Sequence, residues 1–67
     1  MALITVNGDD RELNSATNVF ELLAELGLQE RRVAVMVNDA IVRREERTQT
    51  PLAAGDRIEI IQMVGGG

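Results

Sequence analysis

The residues of this chain that can do chemistry are few, and the informative ones are glycines. Of six glycines, Gly8, Gly27 and Gly55 fall where the pattern predicts turns or a helix cap, whereas Gly65, Gly66 and Gly67 stand in a row at the end of the sequence. Glycine has the greatest backbone freedom of any residue, so a frayed chain end is one reading of that run. A second reading starts from the α-carboxylate. A glycyl carboxylate has no Cβ beside it, so a flexible Gly-Gly end can thread a channel too narrow for other residues and reach a distant active site. If a partner transferred an adenylyl group from ATP onto it, the resulting mixed anhydride would be open to a sulfur or nitrogen nucleophile supplied in trans.

Little else in the chain competes with the tail. There is no Cys and no His among the 67 residues, which removes disulfides, thiolate or imidazole metal sites and the commonest nucleophiles and bases. A paired-carboxylate site needs a cleft, and a domain of this length is too small to build one. Seven Arg and no Lys stand against eleven Asp and Glu, a net charge of -4, with the positive residues scattered except at Arg31-Arg32 and Arg43-Arg44. An acidic chain with a single Phe offers neither the basic patch nor the stacking platform that nucleic acids require. Asp9, Asp10, Glu45, Glu46, Asp56 and Glu59 suit either solvent or a basic protein surface. No apolar run approaches 18 residues and no charged-then-apolar leader opens the chain, so neither a membrane span nor a signal peptide is expected. With the lack of cysteines, this points to a cytoplasmic protein.

The elements that must carry the tail follow from periodicity and punctuation. Ala2 to Asn7 is rich in β-branched residues and ends at Asn7-Gly8, the dipeptide suited to a tight hairpin; a short return strand is expected at Arg11 to Asn14, anchored by Leu13. Asn18 with Glu21 three residues later predicts a capping box in which each side chain serves the other residue's amide. Val19, Leu22, Leu23 and Leu26 then share one helical face, and Gly27 provides a left-handed cap. Val33, Val35 and Val37 alternate in a buried strand, Asn38-Asp39-Ala40 turns the chain into a brief strand at Ile41-Val42, and Arg43 to Arg47 is expected to be solvated. Thr50-Pro51 breaks the chain, Leu52 anchors the loop, and Gly55-Asp56 leads into a last strand from Arg57 to Met63.

The order is β-β-α-β-β-β, an α+β fold in which one helix covers one face of a mixed sheet of four to five strands. Ile4, Val6, Leu13, Val33, Val35, Val37, Leu52, Ile58 and Ile60 form the expected inward set. A hairpin, a helix crossing over and a last strand returning beside the first make the β-grasp arrangement. Residues 1–64 are read as a single β-grasp domain and 65–67 as a flexible Gly tail. Ile61 and Met63 have the opposite parity to Ile58 and Ile60; with Val64 and Gly65 they form a candidate docking patch beside the tail, or a sheet edge that the chain itself covers.

Taken together, these motifs resemble the ubiquitin-like sulfur carriers of the ThiS type, which serve assembly of the thiamin thiazole ring within the ThiS/MoaD superfamily. The resemblance rests on Asn7-Gly8 after strand one, Val-x-Glu-Leu-Leu at Val19 to Leu23 and Val-Ala-Val-x-Val-Asn with Ile-Val at Val33 to Val42. Leu-x-x-Gly-Asp-x-Ile-Glu-Ile at Leu52 to Ile60 and the terminal Gly66-Gly67 complete it, covering essentially the whole chain. The resemblance implies a non-enzymatic carrier with no cofactor of its own. It implies that an E1-like adenylating enzyme (ThiF type) uses ATP and magnesium to activate Gly67. Sulfur from a cysteine desulfurase route then converts Gly67 to a thiocarboxylate, and a thiazole synthase (ThiG type) accepts it. Gly66 is the second half of the diglycine, and Gly65 is an extra small residue. Two positions depart from the family pattern: Arg43 stands where Pro is usual, and Met63 where an aromatic is frequent.

The absence of Lys would keep an activated tail from joining its own chain, although a general bias toward Arg explains it as simply. Other outcomes share the chemistry or the fold. The carrier could serve molybdopterin or cysteine synthesis, a ubiquitin-like modifier would join its carboxylate to lysines of other proteins, and a plain interaction module would have an inert tail. A carrier that presents its tail to several enzymes in turn is expected to be a monomer in isolation.

Overall fold

The computed structural model describes residues 2–13 and 16–63. Five strands and one helix follow in the expected order: β1 (Leu3–Val6), β2 (Asp9–Glu12), α1 (Val19–Glu25), β3 (Val33–Val37), β4 (Ala40–Val42) and β5 (Arg57–Gln62), with a 3₁₀ segment at Arg44–Gln49 between the last two strands. They form one sheet in the order β2-β1-β5-β3-β4. β1 and β5 run parallel and the other neighbours antiparallel, which is the β-grasp expected from the sequence.

Local chemistry accounts for the first hairpin. Asn7 (φ 52°) and Gly8 (φ 88°) both take the left-handed region, as a two-residue turn matched to strand twist demands. So short a turn leaves no slack: Asp9 pairs directly with Val6, and β2 starts two residues earlier than the Arg11 expected from its apolar content. Leu13 lies beyond the strand, half-buried, with its N–H donated to Ala2 O at 2.8 Å. The end of the expected strand, Asn14, falls outside the described residues.

The helix starts at Asn18, whose Oδ1 accepts the Glu21 N–H at 2.8 Å. The reciprocal half of the capping box differs from expectation. Glu21 Oε1 accepts from the Thr17 N–H and the Thr17 hydroxyl, both at 2.7 Å, rather than from Asn18. Val19, Leu22 and Leu23 bury the helical stripe against Ile4, Val35 and Ile58, all six nearly inaccessible to solvent. Val33 and Ile60 are buried as expected, and Val6, Leu13, Val37 and Leu52 pack partly buried around them. Ala16 and Val42 join the core as additions to the expected set.

Arg43 to Arg47 departs from the expected solvated loop. Arg43 and Arg44 are exposed, but the chain from Arg44 winds into a 3₁₀ turn and Arg47 is buried. Glu46 Oε1 accepts the Arg43 N–H at 3.0 Å, and the Thr50 hydroxyl closes on Glu46 O at 2.7 Å. Arg47 is tolerated inside because its Nη2 donates to Val33 O at 2.8 Å and its methylenes supply apolar surface. Val19 N–H to Thr50 O at 3.1 Å and Leu52 N–H to Thr17 O at 3.0 Å then tie this crossing to the start of α1.

Candidate functional site

The tail leaves from β5, so the site is built on whatever holds that strand. β5 lies in the middle of the sheet, between β1 and β3. Its pairing with β1 is brief, Thr5 with Arg57 and Val6 with Ile58, because β1 turns away at Asn7. Asn7 carries the pairing onward. Its backbone N–H donates to Ile58 O at 2.9 Å, and its side chain then accepts the Ile60 N–H at 2.8 Å and donates to Ile60 O at 3.1 Å. A side-chain amide offers the same donor and acceptor as a peptide group, so the turn residue stands in for the strand that has ended.

The opposite edge of β5 is held in the same manner near its start. Asn38 (φ 51°) opens the β3–β4 turn; its Oδ1 accepts the Arg57 N–H at 2.9 Å and its Nδ2 donates to Asp56 Oδ1 at 3.0 Å. Asp56 Oδ2 in turn accepts the Ala53 N–H at 2.9 Å, which shapes the turn into the strand. Arg57 reaches Asp39 at 2.6 Å, and that contact holds its guanidinium above the ordinary range. At the far end the Met63 N–H donates to Arg32 O at 2.9 Å, so pairing with the β3 side continues to the last described residue.

Ile61 and Met63 point away from the core, at 55% and 60% exposure, as their parity requires. On that uncovered face Ile61 is opposite Ala34, and Met36 is opposite Ile41, itself 72% exposed. The structure therefore continues the expected apolar patch across three strands. Val64, Gly65, Gly66 and Gly67, the rest of the expected site, lie outside the described residues.

A second feature went unread in the sequence. Arg31, Arg32, Arg44 and Arg47 line one cavity of about 350 Å³ together with Val33, Val42 and Met63. The available signal was the position of the two Arg doublets, one just before β3 and the other just after β4. An antiparallel hairpin brings its two open ends together, so the doublets must be neighbours. Among the described residues no cluster of His, Cys, Asp and Glu could hold a metal, and no helix is long and apolar enough to cross a membrane.

The family model described as the ThiS family matches residues 4–67, from β1 through the terminal glycines. The chain belongs to the ThiS family. A Sulfur carrier protein ThiS of Thermus thermophilus is 32% identical over 65 residues, covering 97% of this chain and 100% of that protein. A protein named Thiazole synthase from Paramagnetospirillum magneticum is 38% identical over 64 residues, 96% of this chain, but the chain spans only 20% of that relative's length. The crystal structure of a thiamine biosynthesis protein (ThiS) from Geobacter metallireducens superposes with a TM-score of 0.81 at 34% identity, covering 97% of this chain and 99% of that one. Likeness of that extent means that this ThiS-family chain shares its overall fold with that protein.

Proposed function

We propose that this protein is a sulfur carrier for thiamin thiazole synthesis, and that the carboxylate of Gly67 is its reactive group. The observation that carries the reading is the family match running through Gly66 and Gly67, together with a strand secured on both edges immediately before them. In this reading residues 1–64 are the domain, 65–67 are its tail, and the work of the fold is to hold β5 still while the tail reaches into other proteins. A carboxylate oxygen of Gly67 attacks the α-phosphorus of ATP in an adenylating enzyme of the ThiF type, and pyrophosphate leaves. A sulfur nucleophile at the oxidation level of sulfide, drawn from the sulfur donor system, then displaces AMP from the acyl carbon and leaves a thiocarboxylate. ATP and magnesium belong to that enzyme, and this chain supplies no cofactor.

The apolar stripe of Ile41, Met36, Ala34, Ile61 and Met63 is the proposed docking face, and its two flexible methionines suit it to more than one partner surface. A thiazole synthase of the ThiG type is the proposed acceptor, a choice supported by the relative of that name, which contains a segment like this chain. The carrier acts as a cytoplasmic monomer that passes between these enzymes.

The test is the intact mass of the chain after incubation with ATP, magnesium, a sulfur donor and a ThiF-type enzyme. One oxygen replaced by sulfur is expected in the full-length chain, and no change in a chain lacking Gly67 whose melting temperature is unaltered. An unchanged mass with an enzyme proven active on its own carrier overturns the reading, and adducts on other proteins would replace it with a modifier.

A further inference from the structure

In a chain of net charge -4, four of the seven arginines converge on one cavity. Arg31 and Arg32 reach it from the segment before β3, Arg44 and Arg47 from the 3₁₀ turn, and Val33, Val42 and Met63 complete the lining. Among the described residues no carboxylate lines it. The ion pairs among the described residues, Arg11 with Glu25 and Arg57 with Asp39, leave these four arginines out. Arg47 is only 7% exposed; Nη2 is spent on Val33 O, and its Nε is buried with no hydrogen-bond partner among the described residues. Burial, and next the nearby charge of Arg44, push the Arg47 guanidinium below its ordinary range, but a guanidinium remains a cation at any physiological pH. Several like charges around one hollow are unfavourable until an anion enters.

We infer that this cavity is a socket for an acidic side chain of the protein that processes the tail, a glutamate or aspartate whose carboxylate the arginines clasp. The inference rests on the carrier reading above. The lining favours a carboxylate on an aliphatic stem: Val33, Val42 and Met63 offer surface to methylenes, while guanidinium forks match the two carboxylate oxygens. Phosphate is the competing anion, and it lacks the aliphatic stem that Val33, Val42 and Met63 would flank. Met63 borders the cavity and stands four residues before Gly67. A basic socket at the foot of the tail on an otherwise acidic carrier fixes the register in which a partner docks, because wrong registers set like charges together.

The experiment follows the Arg47 Nε–H and Met63 amide resonances of the labelled chain during titration with glutarate, and separately with inorganic phosphate. Glutarate is expected to move both resonances saturably, to bind more tightly than phosphate, and to bind at least about five-fold more weakly to Arg44→Gln. Arg44 is exposed, so that variant keeps the fold; Arg11→Gln removes the same charge away from the cavity and leaves the affinity unchanged. Tighter binding of phosphate, or shifts that never saturate, overturns the socket. In the adenylation assay Arg44→Gln raises the KM for the carrier by a similar factor and Arg11→Gln does not; an unaltered KM overturns the inference. A wild-type chain that is never adenylated defeats the carrier reading alone, because the glutarate titration is measured without a partner.

Discussion

Asn7 is the residue on which the tail's foundation most depends. It takes a left-handed φ in the turn and also gives both ends of its amide to Ile60. Replacing it with Ala loses two hydrogen bonds at about 1 kcal/mol each and adds about 1 kcal/mol of left-handed strain, so Asn7→Ala should cost about 3 kcal/mol in urea unfolding. Asn7→Gly relieves the strain and isolates the hydrogen bonds, at about 2 kcal/mol. Equal stabilities for both variants and the wild type would show that the side-chain amide carries nothing. Glu21 makes a pH-dependent contribution of known sign. The Thr17 hydroxyl first, and then the Thr17 N–H, hold its carboxyl below the usual carboxylate range. Its contribution is therefore complete above the range in which the unfolded chain titrates, and is lost as pH falls through the lower folded value. A carbon-detected titration should place the Glu21 midpoint lower in the folded chain than in the chain unfolded by urea, and coincident midpoints would contradict the Thr17 bonds.

Elements divide by how much of their position is set locally. The helix was legible because its cap, its apolar spacing and its terminal Gly27 all agree, and α1 ends within one residue of expectation. Its central Leu22 is buried against the sheet, so Leu22→Ala should cost about 2–5 kcal/mol. That is a large part of the roughly 3–10 kcal/mol available to a domain of this length, and it should appear as a lower urea midpoint at unchanged slope. The strands with alternating valines and isoleucines were equally legible. β2 was not, because Asp9, Asp10, Arg11 and Glu12 carry no apolar pattern and are strand only because a two-residue turn delivers them to β1. The 3₁₀ turn was missed for a related reason. Its sequence, Arg-Glu-Glu-Arg-Thr-Gln, is wholly polar, and only the tertiary site at Val33 O makes one of its arginines an interior residue. The same effect hid the cavity: composition shows an acidic chain with scattered Arg, whereas the hairpin register gathers them.

At the scale of the whole molecule, the mixed five-strand sheet with one helix was legible from the order of the motifs, and the superposition on a solved ThiS structure covers 97% of this chain. The sheet order has one further consequence. β5 is the last strand in sequence, yet within the sheet it is the hydrogen-bonded seam between the β1–β2 and β3–β4 hairpins. On a ribosome, two separate ribbons and a helix would emerge first, still without the Ile58 and Ile60 that complete the core around Ile4 and Val35. Only the arrival of Arg57 to Gln62 closes them into one body, a non-local step that costs loop entropy before it returns any contact. A chain broken off before that point has lost its core together with the glycines of the proposed tail, so truncated copies present no folded face to a partner. In the proposed reading, a chain that offers Gly67 is therefore one that already contains every strand of the sheet.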